Sequence, residues 1–393
     1  MPDAYFESQP APEEIRERID GFPSWFEIDL DNLEDNLNQI KSRTSSKLIP
    51  CVKNNAYGHG LIPIVAHLET LGIEKVLVAK LREALKLREA GIGLKIVNMD
   101  PLFARSSYKA VVEKGITHVV YTEDAARTLS EVASGKGMKA HVFVKIDTGL
   151  RRVGVKHDKA ANFLELVSSL PGLEIDGIFS TLNQNKEQDK IQVKRLLEVE
   201  EEARKRGIDP GLRSLASSDA VLYRPEAHLD VVRPGMLLYG VYPTTRDRGS
   251  GIELKQVLSF KARLEHIKWV EKGKSVTYWG RFTAPRRMRI GTVHVGFYDA
   301  LPRELSNRGR VKIGDGFRSI LGSVSLNHIL VELTDTGIEP GDVVEVIGRE
   351  GENTVNAIAD AAGWMTYSLL NHLNPFTPRV YLKKGEPVAL LEP

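Results

Sequence analysis

The sequence predicts an α/β fold in which an N-terminal (β/α)8 TIM-like barrel precedes a C-terminal, mostly-β domain. Three observations lead to this prediction. Short apolar runs alternate with longer amphipathic stretches from Lys47 to about Tyr242. After Tyr242 the chain changes to runs rich in β-branched residues, which turn residues separate. The 393 residues are also too many for one ordinary domain, so two domains are expected.

The barrel prediction depends on strand candidates that are often continuous apolar runs, as strands buried on both faces should be. The candidates are residues 47–53, 75–79, 94–100, 117–122, 139–147, 173–180, 212–216 and 231–239. Helical patterns between them include residues 81–90, 125–133 and 189–206. A doubly wound open sheet would also alternate strands and helices, but it would not need eight units. The pattern therefore favours a closed barrel.

The C-terminal part begins after a polar, turn-rich stretch, residues 243–251, that is typical of a linker. Strand patterns follow at residues 256–268, 289–295, 320–324, 329–333 and 342–347. We therefore expect three parts: a polar N-terminal extension over residues 1–22, a barrel over residues 23–243, and a β domain over residues 252–393.

Composition excludes several classes of protein. The net charge of +2 is too small to indicate a nucleic acid or an anionic membrane as partner. No apolar run approaches the roughly 18 residues that span a bilayer, and the polar N-terminal segment lacks the apolar core of a signal peptide. The single cysteine, Cys51, excludes internal disulfides and fits a reducing compartment. We expect a cytoplasmic protein, with no metal because none of the ten histidines has metal-ligand spacing.

Lys53 is the first residue with possible catalytic chemistry. It ends the first strand candidate, and active sites of such barrels lie at the carboxyl ends of the strands. A lysine there can form a Schiff base if desolvation and nearby cations keep its amine partly neutral. Position alone fits a solvated strand-end lysine better, so the surrounding residues must decide.

Residues 53–60, Lys-Asn-Asn-Ala-Tyr-Gly-His-Gly, closely resemble the lysine motif that binds pyridoxal 5′-phosphate (PLP) in the alanine racemase family. The family motif is usually Lys-Ala-Asn-Ala-Tyr-Gly-His-Gly. Four further blocks match family segments in the same order, at residues 145–154, 232–240, 287–292 and 305–309. Several ordered blocks are far more specific than one lysine. The chain is therefore identified as a member of this PLP-dependent, fold type III family.

The resemblance implies how the cofactor is held. Lys53 matches the Schiff-base lysine, which is also the base on one face of the substrate. Tyr57 and Ser218 match ligands of the cofactor phosphate, and the backbone N–H groups of Gly235 and Met236 would bind the same anion. Ser218 could equally be a helix N-cap, and both roles can hold at once.

Three basic residues match further family positions. Arg233 corresponds to the arginine that pairs with the pyridine nitrogen of the cofactor. Because arginine stays protonated, that nitrogen should stay unprotonated, which suits return of a proton better than transamination. Arg152 would hold the substrate carboxylate with its planar guanidinium. Lys145 matches a lysine that is carbamylated in some family members.

The resemblance also implies an assembly. Family members form head-to-tail homodimers in which the partner completes each active site. Their first strand, here residues 25–30, joins the C-terminal β domain rather than the barrel.

The chain departs from the family at the second catalytic base. A two-base racemase needs an acid or base on each face of Cα, and the family uses a tyrosine. Phe297 stands at that position here, with Tyr298 as its neighbour. If this segment is a strand, Tyr298 faces the opposite way, and only a one-residue bulge would turn it back. We expect Tyr298 to be the second catalytic residue.

Other substrate-side positions differ as well. Thr181 replaces the histidine that stacks on the cofactor ring, and Pro375 replaces a tyrosine of the entrance. Residues 325–328, Ser-Leu-Asn-His, replace a Cys-Met-Asp-Gln block, so Leu326 would contact the substrate in place of methionine. His328 is a candidate acid or base, although an ordinary surface or core histidine is the more common case.

These features predict a PLP-dependent isomerase that interconverts L- and D-alanine, or a similar small amino acid, by removing and returning the Cα proton. Two alternatives remain at this stage. One is an enzyme of the same fold with one-base chemistry, either retro-aldol cleavage or exchange at Cα. The other is a catalytically weak PLP-binding or regulatory protein.

Overall fold

Residues 4–244 and 249–392, which the computed structural model describes, pack as two units. The first unit comprises Asn38–Ala56 and Ile64–Leu238. The second comprises Ala4–Leu37, Tyr57–Pro63 and the described residues from Tyr239 onward. Residues 245–248 of the expected linker lie outside the described residues, as do residues 1–3 of the N-terminal extension.

The secondary structure is mixed throughout the chain. The strands are β1 (Ser24–Asp29), β2 (Lys47–Leu48), β3 (Lys75–Val78), β4 (Lys95–Asn98), β5 (Thr117–Val120), β6 (Ala140–Asp147), β7 (Val155–Lys156), β8 (Leu173–Phe179), β9 (Leu212–Ser217), β10 (Val231–Arg233), β11 (Leu258–Val270), β12 (Ser275–Val276), β13 (Phe282–Thr283), β14 (Met288–Val293), β15 (Arg310–Ile313), β16 (Gly316–Leu321), β17 (Ile329–Glu332), β18 (Val343–Ile347), β19 (Arg379–Lys383) and β20 (Glu386–Leu391). The helices are α1 (Ala4–Glu7), α2 (Pro12–Asp20), α3 (Leu30–Lys41), α4 (Leu61–Thr70), α5 (Leu81–Glu89), α6 (Arg105–Glu113), α7 (Glu123–Gly135), α8 (Ala160–Ser169), α9 (Lys186–Lys205), α10 (Ser218–Tyr223), α11 (Val355–Ala362) and α12 (Thr366–Asn371).

The first unit contains the predicted barrel. Its parallel strands are hydrogen-bonded in the order β2-β10-β9-β8-β6-β5-β4-β3, with β7 beside β6. Just after β2, Cys51 forms a parallel bridge with Leu77 of β3, and the amide of Val52 donates to the carbonyl oxygen of Leu77 at 2.9 Å. These bonds join the two ends of the sheet. The eight strands therefore form a closed ring, as the sequence predicts.

Six strand candidates coincide with barrel strands to within a few residues, and the first and the eighth are too long. The predicted strand 47–53 ends at Leu48, so Lys53 lies in the following turn rather than at the end of the strand. The predicted strand 231–239 ends at Arg233, and residues Met236–Tyr239 form a 3-10 turn instead. Pro234 explains the difference, because proline lacks the N–H group that a ladder of strands requires.

The second unit is built on a nine-stranded sheet. Its order is β14-β17-β16-β15-β18-β11-β1-β19-β20. Strand β1 pairs antiparallel with β11 and parallel with β19, so an N-terminal strand lies among C-terminal ones. Phe26 of β1 and Phe260 of β11 are buried, with ring centroids 4.4 Å apart. This contact places the core of the unit at the centre of the sheet.

The N-terminal extension also has a defined place in the second unit. Helix α2 buries Ile15 against Trp25, Val380 and Leu390, with Ile19 and Phe22 packed beside it. Ile15, Ile19 and Phe22 follow one another at intervals of four and three residues, which is the period of one helical face and the sequence signal for this packing. None of the helices among the described residues combines the length and apolar character that a membrane crossing requires.

Candidate active site

Lys53 lies at the carboxyl edge of the barrel. It follows the bridge that closes the sheet, and its side chain is half-buried. This is the edge at which barrels of this kind carry their catalytic groups. The fold therefore puts the expected Schiff-base lysine where chemistry can occur.

The chain directly after Lys53 is strained. Asn54, Asn55 and Ala56 have φ/ψ values of 55/54°, 56/45° and 52/49°, and Tyr57 has φ 52°. Left-handed backbone costs roughly 1–2 kcal/mol for each such residue, and asparagine tolerates it better than alanine. Strain of this kind is concentrated at functional sites, where the surrounding structure must hold it. The Asn-Asn pair is the only sequence signal for the turn, which the sequence does not otherwise predict.

Glu83 of α5 helps to hold this turn. Its Oε1 accepts a hydrogen bond from the amide of Asn55 at 2.9 Å, and its Oε2 accepts from the amides of Ala79 and Lys80 at 3.3 and 3.2 Å. The carboxylate therefore ties the left-handed turn to the loop after β3. Sequence reasoning missed Glu83, because an acidic residue in the first turn of a helix ordinarily only favours the helix.

Tyr57, the predicted phosphate ligand, belongs to the second unit. Its buried ring lies 5.2 Å from the ring of Tyr239 and 6.1 Å from that of Tyr367. The next residues are fixed as well: Arg379 donates to the carbonyl oxygen of Gly58 at 2.8 Å, and Tyr381 to that of His59 at 2.8 Å. Tyr57 is thus rigidly placed, and its role as a phosphate ligand stays a prediction.

Arg233 is a buried cation at the end of β10. Its Nη1 donates to the hydroxyl of Ser214, and its Nη2 donates to the carbonyl oxygens of Ser180 at 2.7 Å and Leu215 at 3.4 Å. Burial lowers the pKa of the Arg233 guanidinium to about 10, which leaves it charged at neutral pH. Within the described residues no carboxylate pairs with it, and its Nε has no acceptor. One donor of a charged group is therefore left for a ligand.

Lys145 and Arg152 lie near this guanidinium. The buried Nζ of Lys145 donates to the hydroxyl of Thr181 at 2.6 Å and lies 4.3 Å from the centroid of the Phe179 ring. Burial, then the charges of Arg233 and Arg152, hold the pKa of Lys145 well below its usual range. Arg152 is exposed, and no carboxylate among the described residues binds its guanidinium. An exposed guanidinium with no carboxylate partner among the described residues suits an anionic substrate group.

Ser218 and Gly235 form the predicted phosphate-binding corner. The hydroxyl of Ser218 accepts a hydrogen bond from the amide of Gly235 at 2.9 Å. Met236 begins the 3-10 turn, whose first amides have no carbonyl partner inside it. The interpretation of Ser218 as an N-cap is wrong, because Ser217 is the N-cap of α10 and Ser218 is its first residue. The hydroxyl of Ser218 is directed to Gly235 instead.

A polar network that the sequence does not reveal supports the same edge of the barrel. Gln192 of α9 donates to the hydroxyl of Thr148 at 3.1 Å and to the carbonyl oxygen of Thr181 at 2.9 Å. The hydroxyls of Thr148 and Ser180 are 2.8 Å apart. The carbonyl oxygen of Ser180 also accepts a hydrogen bond from Nη2 of Arg233. The network therefore links the position of the guanidinium to that of Thr181.

In the second unit, Phe297 and Tyr298 lie in a 3-10 turn, Phe297–Asp299. The premise that this segment is a strand is wrong, because β14 ends at Val293. No bulge is needed, since successive side chains of a 3-10 turn differ in direction by about 120° rather than 180°. Both side chains are exposed, Phe297 to 40% and Tyr298 to 53%. The Tyr298 side chain is therefore accessible from solvent, and its role as the second base stays a prediction.

The turn is paired with the loop that carries Leu326. The amide of Phe297 donates to the carbonyl oxygen of Ser325 at 2.9 Å, and the amide of Tyr298 to that of Leu326 at 3.0 Å. Leu326 is half-exposed. The two residues predicted on the substrate side from distant sequence positions are therefore adjacent. His328, at the end of this loop, lies 3.0 Å from Glu265 instead of being available as a free acid or base.

The first unit offers groups that fit PLP. Lys53 supplies an amine at the barrel edge, Ser218 and Gly235 supply a hydroxyl and an amide for a phosphate, and Arg233 keeps an unused Nε for a ring nitrogen. The apolar cavity inside the barrel that ends on Arg233 measures only about 10 Å³. It holds at most a water, so this cavity is too small for PLP.

Comparison with known proteins agrees with this geometry. The family model of the alanine racemase N-terminal domain matches residues 28–243, and that of the alanine racemase C-terminal domain matches residues 257–381. Similar proteins include alanine racemase 1 of Clostridium acetobutylicum, 31% identical over 94% of this chain and 97% of the relative. The alanine racemase of Halothermothrix orenii is 33% identical over 92% of this chain and 97% of its own length.

Solved structures lead to the same family. The alanine racemase of Clostridium difficile 630 superposes with a TM-score of 0.90 at 30% identity, over 94% of this chain and 98% of that one. A histidine racemase of Leuconostoc mesenteroides shares the fold alone, with a TM-score of 0.85 at 24% identity over 92% of this chain and 98% of the other. Because the family models and relatives cover nearly the whole sequence, this chain belongs to the alanine racemase family.

Proposed function

We propose that this protein interconverts L- and D-alanine with PLP as its cofactor. The observation that carries the proposal is the buried Arg233, which stays charged with only neutral partners and keeps Nε for a ring nitrogen. A cation at that place disfavours protonation of the ring nitrogen. A weakened electron sink suits a reaction in which one proton leaves Cα and one returns.

Each residue of the barrel edge has a separate task in this proposal. PLP, when bound, supplies the electron-withdrawing group that makes the Cα proton acidic. Lys53 holds the cofactor through Nζ and exchanges a proton with one face of Cα. Arg152 orients the substrate by binding the substrate carboxylate, as its exposed guanidinium allows. The hydroxyl of Ser218 and the amides of Gly235 and Met236 bind the phosphate.

The opposite face of Cα needs a second proton donor, and we propose Tyr298 for it. Its phenol is half-exposed and makes no side-chain hydrogen bond to the described residues, whereas Phe297 has no proton to donate. The proposal includes a head-to-tail homodimer in which Tyr298 and Leu326 reach the partner's site. Two adjacent, exposed substrate-side residues on one surface suit such an arrangement. Cys51 is buried and is the single cysteine of the sequence, so it cannot form an internal disulfide; this suits the reducing cytoplasm, which we propose as the location.

Incubation with L-alanine in deuterated water tests the proposed reaction. Racemisation gives D-alanine that carries deuterium at Cα. Deuterium in L-alanine without formation of D-alanine would show one-base exchange at Cα instead of racemisation. If neither product forms with the PLP-loaded protein, alanine is not the substrate and the proposed function is wrong.

The role of Tyr298 is tested by the variant Tyr298→Phe. We expect inversion to fall at least 100-fold while Cα exchange on one face persists, since general acid–base groups contribute about 10²–10⁴-fold. Tyr5→Phe is the control, because Tyr5 lies in α1, outside the residues that the family models match. An unchanged inversion rate in Tyr298→Phe would remove Tyr298 from the mechanism.

A further inference from the structure

Three potential metal ligands meet on the surface of the second unit. Oε2 of Glu265 lies 3.2 Å from Nδ1 of His294 and 3.0 Å from Nε2 of His328. One ligand atom from each side chain lies within 4.8 Å of the others. The sequence shows no metal spacing here, because Glu265 lies in β11, His294 directly follows β14 and His328 directly precedes β17, and these strands are neighbours only in the folded sheet.

The strand pairing explains why these side chains converge. Strands β11 and β14 pair Leu264 with Val293 and His266 with Thr292, which leaves Glu265 as the extra residue of a β-bulge. A bulge redirects the side chain of its extra residue. Val293 of β14 pairs with Ile329 of β17, so His294 and His328 are the next cross-strand neighbours.

The backbone around the cluster is fixed on both histidine segments. The amide of His294 donates to the carbonyl oxygen of Arg263 at 3.3 Å, and the carbonyl oxygen of His328 accepts from the amide of Ser325 at 2.9 Å. The imidazole rings meet edge to face, with centroids 5.2 Å apart. Side chains whose backbone is held by such hydrogen bonds vary little in position, which favours a preformed site.

The composition and exposure of the cluster match a metal centre with open positions. Two imidazoles and one carboxylate are the protein ligands of many zinc sites, in which water takes a fourth position. Metal–ligand bonds of about 2.0–2.1 Å place tetrahedral ligand atoms about 3.3 Å apart, close to two of the separations here. The side chains are 43–50% exposed, so an ion and its water can enter from solvent.

We propose that Glu265, His294 and His328 bind one divalent transition-metal ion of the Zn²⁺ class. Imidazole and carboxylate together select such ions over Ca²⁺ or Mg²⁺, which prefer oxygen ligands alone. Because the two imidazole nitrogens lie within 4.8 Å of each other, tetrahedral coordination brings them closer by at most about 1.5 Å. Water completes the coordination.

The site is connected to the turn that carries Tyr298. His294 lies four residues before Tyr298, His328 lies two residues after Leu326, and two backbone hydrogen bonds join these segments. An ion held by both histidines therefore restrains the turn and the loop together. This coupling rests on the proposed function, since it assigns catalytic work to Tyr298.

Isothermal titration of the chelator-treated full-length protein with Zn²⁺ tests the site. We expect one ion per chain, with binding weakened at least about 10-fold in Glu265→Gln, His294→Gln and His328→Gln. His266→Gln is the matched control, because His266 is exposed on the same strand but outside the cluster. Thermal melts of each variant show that it is folded. Absence of Zn²⁺ binding, or equal affinity in the wild type and His328→Gln, overturns the site.

A second measurement separates the site from its coupling to catalysis. Racemisation rates are compared with and without Zn²⁺ for the wild type and His328→Gln. A metal-dependent change of kcat in the wild type alone supports the coupling. If Zn²⁺ binds to the cluster and leaves kcat unchanged, the coupling is overturned and the site stands. Because titration needs no substrate, failure of the proposed function does not obscure the binding result.

Discussion

Nζ of Lys145 donates a hydrogen bond to Oγ1 of Thr181 at 2.6 Å, inside a part of the barrel that already holds the cation of Arg233. Burial and the neighbouring guanidinium groups lower the pKa of this lysine well below its usual range. The surroundings of Lys145 therefore disfavour its charged form, while its Nζ donates to Thr181. A lysine in this state is also the kind that can react with carbon dioxide, as family resemblance suggests for this position.

The Lys145–Thr181 hydrogen bond predicts that Lys145→Met and Thr181→Val differ in thermal stability. Lys145→Met removes an amine that is costly to charge, and half-buried Thr181 can turn its hydroxyl to water. We expect its Tm to stay within about 2 °C of the wild type or to rise. Thr181→Val instead leaves the buried amine without its acceptor, which costs about 1–3 kcal/mol.

Thermal melts of both variants measure this difference. A cost of 1 kcal/mol corresponds to about 2–4 °C for a unit of this size, so Thr181→Val should melt clearly below Lys145→Met. The reverse order would mean that the Lys145 ammonium is charged and stabilising.

The phosphate-binding corner gives a second prediction. Ser218→Ala removes a hydroxyl that would bind the phosphate dianion, and a hydrogen bond to a charged group contributes about 1.5–3 kcal/mol. We expect PLP to bind about 10–100-fold more weakly, as measured by absorbance titration. Ser217→Ala is the matched control, since the Ser217 side chain makes no capping hydrogen bond. Equal losses in both variants would exclude a specific role for Ser218.

Arg233 gives a third prediction. In Arg233→Lys one ammonium replaces a planar group that binds Ser214, Ser180 and Leu215 at once. The shorter side chain cannot satisfy these acceptors and still donate to a ring nitrogen. We expect kcat for inversion to fall at least about 100-fold, as loss of a positioned charged donor usually does. A PLP absorbance band like that of the wild type would show that the cofactor is still bound, and an unchanged kcat would exclude the role of Arg233.

The sequence predicts the barrel well because buried parallel strands leave long apolar runs with helices between them. It predicts backbone details poorly. The left-handed turn after Lys53 depends on Glu83, which is distant in sequence, and the turn at Phe297 follows a strand that ends earlier than its apolar pattern does. Convergence of Glu265 with two histidines depends on a bulge and on strand order, neither of which leaves a local signal.

His118 of β5 gives a prediction about acid stability. It is buried, with Nδ1 3.4 Å from the side-chain amide of Asn98, and burial lowers its pKa from the usual 6.5 to about 4. Below pH 6.5 the unfolded chain therefore binds a proton that the folded chain does not bind. The stability from this neutral histidine is complete above pH 6.5 and is lost as the pH falls toward 4.

The size of this loss follows from the shift in pKa. A difference of about 2.5 pH units corresponds to about 3 kcal/mol. In His118→Gln, which cannot titrate, the free energy of unfolding in urea should fall by about 3 kcal/mol less than in the wild type between neutral pH and pH 4. The exposed His266→Gln should keep the wild-type pH dependence. If His118→Gln also shows the wild-type pH dependence, protonation of His118 is not the cause of the acid sensitivity of the barrel, because that substitution removes the titrating imidazole.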